Sequence, residues 1–122
     1  MSVIEALGDV VKAYPGTRVV AFADLSASMI LASQGTGDVT QEYLERLLRQ
    51  ARASFDDPLF ALSVEAFGEP HGAMILGDAD VRLFLRSESE PADALCCVCD
   101  HGIDLPGILA KTRAVLDGIS SG

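Results

Sequence analysis

The sequence predicts an α/β (α+β) fold in which a five-stranded, mostly antiparallel sheet carries helices on both faces. Residues 19–23 and 94–99 are apolar without alternation, which is typical of strands covered on both faces. Three longer stretches place apolar residues at helical spacing. The gap between residues 23 and 29 is too short for a crossover, so the first two strands must form an antiparallel hairpin. The predicted order of elements is α-β-β-α-β-β-β-α.

Three helices are predicted from their apolar stripes and their terminal residues. The first spans about residues 3–14, and Ser2 is in position to cap it. The second runs from Thr40, its predicted cap, to about Phe55. The third begins near Pro106, because proline suits the first position of a helix.

The five strands are predicted at residues 19–23, 29–32, 73–76, 81–86 and 94–99. The two fully apolar strands belong at the centre of the sheet, and each carries its hairpin partner on the outer side. The resulting spatial order is 2-1-5-4-3. The residues of 81–86 alternate in direction, with Val81, Leu83 and Leu85 on one face and Arg82, Phe84 and Arg86 on the other, which predicts a half-buried strand.

The composition limits the classes of function. The 122 residues include 9 basic and 18 acidic ones, giving a net charge of −9, which argues against binding nucleic acid or an anionic membrane. No apolar run reaches the roughly 20 residues that span a bilayer, and the N-terminus lacks the features of a signal peptide. We therefore expect one domain, residues 1–122, in the cytoplasm. The acidic excess is either a solvated surface or a means of steering a basic partner.

Catalytic signatures are lacking. The sequence contains no phosphate-binding loop, no nucleophile elbow and no zinc-protease motif, so we expect neither an enzyme nor a cofactor or metal site. On a strand, Cys97 and Cys99 would share one face, and Cys96 would lie on the other. We interpret these cysteines as core residues, with redox sensing and metal binding as alternatives. His71 and His101 lie beside loop glycines and are interpreted as solvated.

A basic row on the second helix is one candidate for binding a partner protein. It consists of Arg46, Arg49 and Arg52. Pairing with Glu42 and Glu45, four residues upstream, explains the first two arginines, and contact with a partner is the alternative.

The outermost predicted strand is the other candidate. It consists of Ala73, Met74, Ile75 and Leu76, without the charge or proline that would block further strand pairing. A soluble protein should cover such an edge. A second copy related by a two-fold axis would do so, and residues 59–67 of the same chain are the competing explanation.

Three segments of the sequence resemble the roadblock/dynein light chain family, and the likeness spans about residues 3 to 119. They are residues 19–24 turning into 29–32, the helix 40–55, and residues 94–98 running into 104–109. Asp24 stands where the family often has an aspartate ahead of a glycine in the hairpin turn, but residues 25–28 include no glycine. Residues 59–67 are an alternative position for the third strand.

The resemblance implies a non-enzymatic dimer that pairs edge strand to edge strand, with its middle helices packed together. Members of the family act as platforms for small Ras-like GTPases or as adaptors on motor complexes, and bacterial relatives include partners that stimulate a polarity GTPase. Our hypothesis is a homodimeric regulatory or scaffold module of this bacterial kind, with a small GTPase as its partner. The alternative is a domain that senses small molecules or oxidants through the Cys96–Cys99 strand.

Overall fold

The computed structural model describes residues 2–37, 39–56 and 72–121. Over these ranges the elements are α1 (Val3–Ala13), β1 (Thr17–Asp24), β2 (Met29–Gly35), α2 (Gln41–Asp56), β3 (Gly72–Leu76), β4 (Val81–Arg86), β5 (Asp93–Cys99) and α3 (Leu105–Ser121). Their order confirms the prediction. The alternative strand at residues 59–67 and the predicted loop residue His71 lie outside the described residues. None of the described helices combines the length and the apolar character needed to cross a membrane.

The residues predicted to cap the first two helices do so. The Ser2 hydroxyl accepts a hydrogen bond from the Glu5 backbone N–H at 3.1 Å. The Thr40 hydroxyl accepts one from the Tyr43 N–H, also at 3.1 Å. Each bond satisfies a backbone donor that has no partner within its own helix.

The sheet has the strand order β2-β1-β5-β4-β3, and all four neighbouring pairs are antiparallel. This confirms the predicted topology. β1 and β5 lie at the centre and pair along almost their whole length, from Thr17 opposite Cys99 to Asp24 opposite Asp93. β2 and β3 are the two outer strands.

Helices cover both faces of the sheet, so the described residues form three layers. α1 and α3 lie on one face, where Leu7, Val10, Ile108 and Leu116 pack against Val20, Phe22, Leu95 and Cys97. α2 lies on the other face, where Leu44, Leu47 and Ala51 pack against Val19, Ala21, Cys96 and Val98. Successive residues of β1 and β5 therefore enter opposite cores, which explains why neither strand alternates between polar and apolar residues.

β4 differs from its prediction as a half-buried strand. The alternation itself is correct, since Leu83 and Phe84 lie in opposite cores. The face of β4 that carries its arginines is only partly exposed, however, because α2 packs on it, and Arg82 and Arg86 are half-buried. Phe84 is completely buried, and the guanidinium of Arg86 lies 4.6 Å above the centre of the Phe55 ring of α2.

Truncating Phe84 should therefore be costly. We expect Phe84→Ala to lower the free energy of unfolding by about 3–5 kcal/mol, because it leaves a cavity between β4 and α2. Met29→Ala, at a side chain that is 54% exposed, is the matched control and should cost less than about 1 kcal/mol. Urea unfolding at one protein concentration measures both variants. Equal losses would contradict the burial of Phe84 under α2.

Candidate partner-binding surface

Among the described residues, β3 pairs on one side only, with β4, and it lies beside α2. Its five residues pair with β4 in unbroken register and include neither a charged residue nor proline. Ala73 and Ile75 pack in the core under α2, Met74 packs in the core on the opposite face, and Leu76 is 69% exposed. Within the part of the chain that the structure describes, no charge or proline of β3 itself therefore blocks the pairing of another strand with its outer N–H and C=O groups.

The other outer strand, β2, is irregular at its centre. Phe22 pairs with Ala32 whereas Ala23 pairs with Ile30, so Leu31 is an extra residue in a β-bulge. A bulge breaks the hydrogen-bond ladder and twists the strand, which is one way in which proteins protect a sheet edge. The two edges are therefore not equivalent, although both are free of charge.

The three arginines of α2 have different environments. Arg46 and Arg49 are exposed. The predicted pairs of Arg46 with Glu42 and of Arg49 with Glu45 do not form. The ion pairs within 4.0 Å among the described residues are made by Arg18 and Arg82 instead. These helix pairs contribute only a few tenths of a kcal/mol, so solvation outweighs them.

Arg52 stabilises the hairpin between β1 and β2. Its guanidinium donates to the Leu25 carbonyl at 3.0 Å and to the Ser28 hydroxyl. Ser28 has a φ of 53°, a left-handed conformation that favours glycine. The hydrogen bonds of Arg52 thus hold a turn that has no glycine at this position, which gives this arginine a structural role.

Asp24 organises the first half of the same turn. Its carboxylate accepts hydrogen bonds from the Ser26 hydroxyl at 2.6 Å, the Ser26 N–H at 2.9 Å and the Ala27 N–H at 3.2 Å. The Ser26 hydroxyl is the main cause that lowers the pKa of Asp24, and the Ala27 N–H adds to it. The aspartate is therefore ionised at neutral pH and fixes the hairpin turn as a local acceptor.

A shallow depression of roughly 250 Å³ lies between α2 and β4. It is lined by Arg46, Tyr43, Leu47 and Gln50 of α2 and by Arg82 of β4. Arg82 donates to the Gln50 side-chain oxygen at 2.6 Å and lies opposite Ile75 of β3 in the sheet register. Arg46 therefore lies beside Arg82 of β4, the strand next to β3, whereas Arg52 is occupied at the hairpin. Sequence reasoning missed Arg82 and Gln50, although the alternation of β4 places Arg82 on the α2 face.

A polar cluster joins the start of β1 to two loops at one end of the sheet, the β3–β4 turn and the loop after β5. Arg18 bonds to Asp100 through its Nε at 2.5 Å and to the Ala79 carbonyl at 3.0 Å, and it lies 3.9 Å from Asp80. His101, interpreted from the sequence as a solvated loop residue, is exposed, but its Nε2 also lies 2.6 Å from the Gly77 carbonyl oxygen. These contacts hold the β3–β4 turn, and with it the end of β3, against the central strands.

The cysteines lie in the two cores, on the faces predicted. Cys96 is under α2, while Cys97 and Cys99 are on the opposite face with their sulfur atoms 3.4 Å apart. All three are free thiols that are at most 1% exposed. Burial raises the pKa of Cys96 to about 12, and the hydrogen bond with Cys99, then burial, raise that of Cys97. Cys96 and Cys97 therefore react poorly, whereas the hydrogen bond with Cys97 lowers the pKa of Cys99. In the described ranges no three Cys, His, Asp or Glu side chains form a metal-binding group.

Burial of Cys96 should make the fold sensitive to alkali. The folded thiol keeps its proton up to about pH 12, whereas the unfolded thiol ionises near 9.0. Unfolding therefore becomes easier as the pH rises from 9 to 12, by about 4 kcal/mol at most from this group. In the Cys96→Ala variant, the part of the alkaline loss of unfolding free energy that comes from this thiol should be absent. Parallel curves of unfolding free energy against pH for the two proteins, measured by urea titration, would contradict it.

Comparison with known proteins identifies the fold. No protein-family model matches the sequence, and no curated protein matches it. Among solved structures, a Roadblock/LC7 domain from Streptomyces avermitilis has a TM-score of 0.74 at 10% identity, covering 95% of this chain and 92% of that one. This chain has the Roadblock/LC7 fold.

Two further structures with this fold come from Myxococcus xanthus. MglB has a TM-score of 0.70 at 15% identity, covering 98% of this chain and 92% of that one. MglC has a TM-score of 0.69 at 12% identity, covering 99% and 98%. The Roadblock/LC7 likeness thus includes the outer strand β3 and the helix α2 that form the candidate surface.

Proposed function

We propose that this chain is a non-enzymatic regulatory or scaffold module that acts in the cytoplasm as a homodimer and regulates a small Ras-like GTPase. The whole chain forms one roadblock-like domain in this proposal. The observation that carries it is the regular, uncharged outer strand β3 beside α2, within a Roadblock/LC7 fold.

The dimer forms by antiparallel pairing of β3 with β3 of a second copy about a two-fold axis. Such an interface uses the same patch twice, so each charged residue near the axis would meet itself. Because each copy carries a net charge of −9, a self-association surface must avoid acidic groups. β3 meets this requirement, and α2 brings Arg46 and Arg49 to the neighbouring surface.

Regulation of a GTPase follows from the dimer surface and the chemistry available on it. The sequence has no phosphate-binding loop, so the nucleotide belongs to the partner. The exposed Arg46 and Arg49 side chains are free to contact an acidic partner surface. The module acts by selecting the hydrolysis-competent conformation of the partner's own loops, and direct insertion of an arginine is the less favoured route.

Placing charge on the β3 edge should separate the two copies. We expect the unmodified protein to have twice the chain mass of 12.9 kDa in light scattering. Leu76→Lys should weaken dimerisation by about tenfold or more, because each copy then carries a charged side chain at the edge strand, where pairing of the two strands would have to accommodate it. Leu76 is exposed, so the substitution leaves the core intact.

Met29→Lys, on the opposite outer strand, is the matched control and should leave the mass unchanged. A wild-type protein that stays monomeric at high concentration would contradict the proposed dimer. A dimer that is equally stable with Leu76→Lys would place the interface elsewhere.

GTP turnover tests the regulatory role. A Ras-like GTPase from the genome that encodes this chain is the candidate partner, and we expect its hydrolysis rate to rise when this protein is added in excess. Arg46→Ala combined with Arg49→Ala should weaken binding and raise the concentration needed, but leave the rate at saturation within about threefold. A loss of about 10³ or more in the saturated rate would instead indicate an arginine finger.

Lys111→Ala, on the opposite face of the protein, is the control and should change neither the binding nor the rate. If this GTPase neither binds the protein nor turns over GTP faster in its presence, the proposed regulation of that partner is wrong.

A further inference from the structure

A groove runs along one side of α3, next to the turn between β4 and β5. Its volume is roughly 650 Å³, which lies within the range of protein binding sites. It is lined by Leu105, Pro106, Leu109, Ala110, Arg113, Asp117 and Glu88. None of these residues belongs to β3 or α2, so the groove is separate from the proposed dimer surface.

The floor of the groove is apolar, and its charged residues are two carboxylates and one guanidinium, an excess of one negative charge. Leu105 and Leu109 are only half-buried although they also pack on the core, and Ala110 beside them is exposed. Glu88 and Asp117 are exposed at the rim. Arg113 points one guanidinium nitrogen at the Arg86 carbonyl, at 2.8 Å, so part of its hydrogen-bonding capacity is used by the protein itself.

The position of Asp117 strengthens the negative potential. It lies in the C-terminal part of α3, which ends at Ser121, and the carbonyl groups at a helix C-terminus carry partial negative charge. A cation placed between Glu88 and Asp117 would interact favourably with both carboxylates and with this helix end. Apolar contacts alone would not distinguish among occupants, but this charge does.

We propose that the α3 groove binds an amphipathic helix of a partner protein, with apolar side chains on one face and lysine or arginine next to them. The groove extends from Leu105 to Asp117, about 18 Å along the axis of α3, which matches roughly three turns of a second helix. Ala110 leaves room for close approach of the two helices. A second copy of this chain is disfavoured as the occupant, because its net charge of −9 opposes an acidic rim.

The probe is a fluorescein-labelled synthetic helix of about fourteen residues, with leucines at helical spacing and lysines next to them. Fluorescence anisotropy at about 0.15 M salt, with the full chain, should show saturable binding. A peptide with glutamate in place of lysine, and one with serine in place of leucine, should each bind about tenfold or more weakly. Equal binding of either comparison peptide would overturn the proposal.

Variants of the protein locate the binding site. Asp117→Lys and Ala110→Trp should each weaken binding of the leucine–lysine peptide by about tenfold or more, by charge reversal and by filling the groove. The controls are Asp78→Lys and Ala53→Trp, at exposed positions outside the groove, and each should change the affinity by less than about twofold.

Equal losses with Asp117→Lys and Asp78→Lys would mean non-specific attraction to an acidic protein, and would overturn the proposal. A loss with Ala53→Trp but not with Ala110→Trp would place the peptide on α2 and would overturn it as well. Circular dichroism of every variant confirms that the fold is retained. The dimer mass is an independent measurement, so failure here leaves the proposed function standing.

Discussion

The pairing of β1 with β5 is the contact on which the other elements depend. It joins parts of the chain that are far apart in sequence, such as Thr17 and Cys99, and ordering so long a loop carries an entropic cost. Apolar burial on both faces of these strands offsets that cost, because α1 and α3 cover one face and α2 covers the other. With β1 and β5 in the centre, β2 and β3 are left as the edges.

The sequence contained most of this topology, because the informative patterns are local. The uniform apolar character of residues 19–23 and 94–99 identified the central strands, and Ser2 and Thr40 marked helix starts through bonds spanning three residues. β4 was harder to predict. Its alternation correctly separated Leu83 from Phe84, but whether the arginine-bearing face meets water depends on where α2 packs, and no pattern within β4 records that.

For the candidate surface too, features within one stretch of sequence could be predicted, whereas contacts between residues far apart in sequence could not. The missing charges of β3 were visible in the sequence. The bond between Arg82 and Gln50 was not, because the two residues are 32 positions apart and meet only when α2 crosses the sheet. The role of Arg52 depends on the backbone angle of Ser28, which residue types alone do not specify. The three exposed arginines that formed one basic row in the sequence therefore differ in role, because Arg52 anchors the hairpin and Arg46 and Arg49 do not.

The difference between the bulged outer strand β2 and the regular outer strand β3 affects whether an assembly stops at two copies or continues to grow. A two-fold pairing through β3 joins two sheets and leaves a β2 strand at each outer end. If those ends were regular, uncharged strands they could recruit further copies, and the sheet would grow into a fibre. The bulge at Leu31 interrupts the β2 ladder at its middle, so a straight partner strand cannot keep register with both halves. The same sheet thus has one edge suited to pairing and one edge protected from it, which favours a closed dimer over an open polymer.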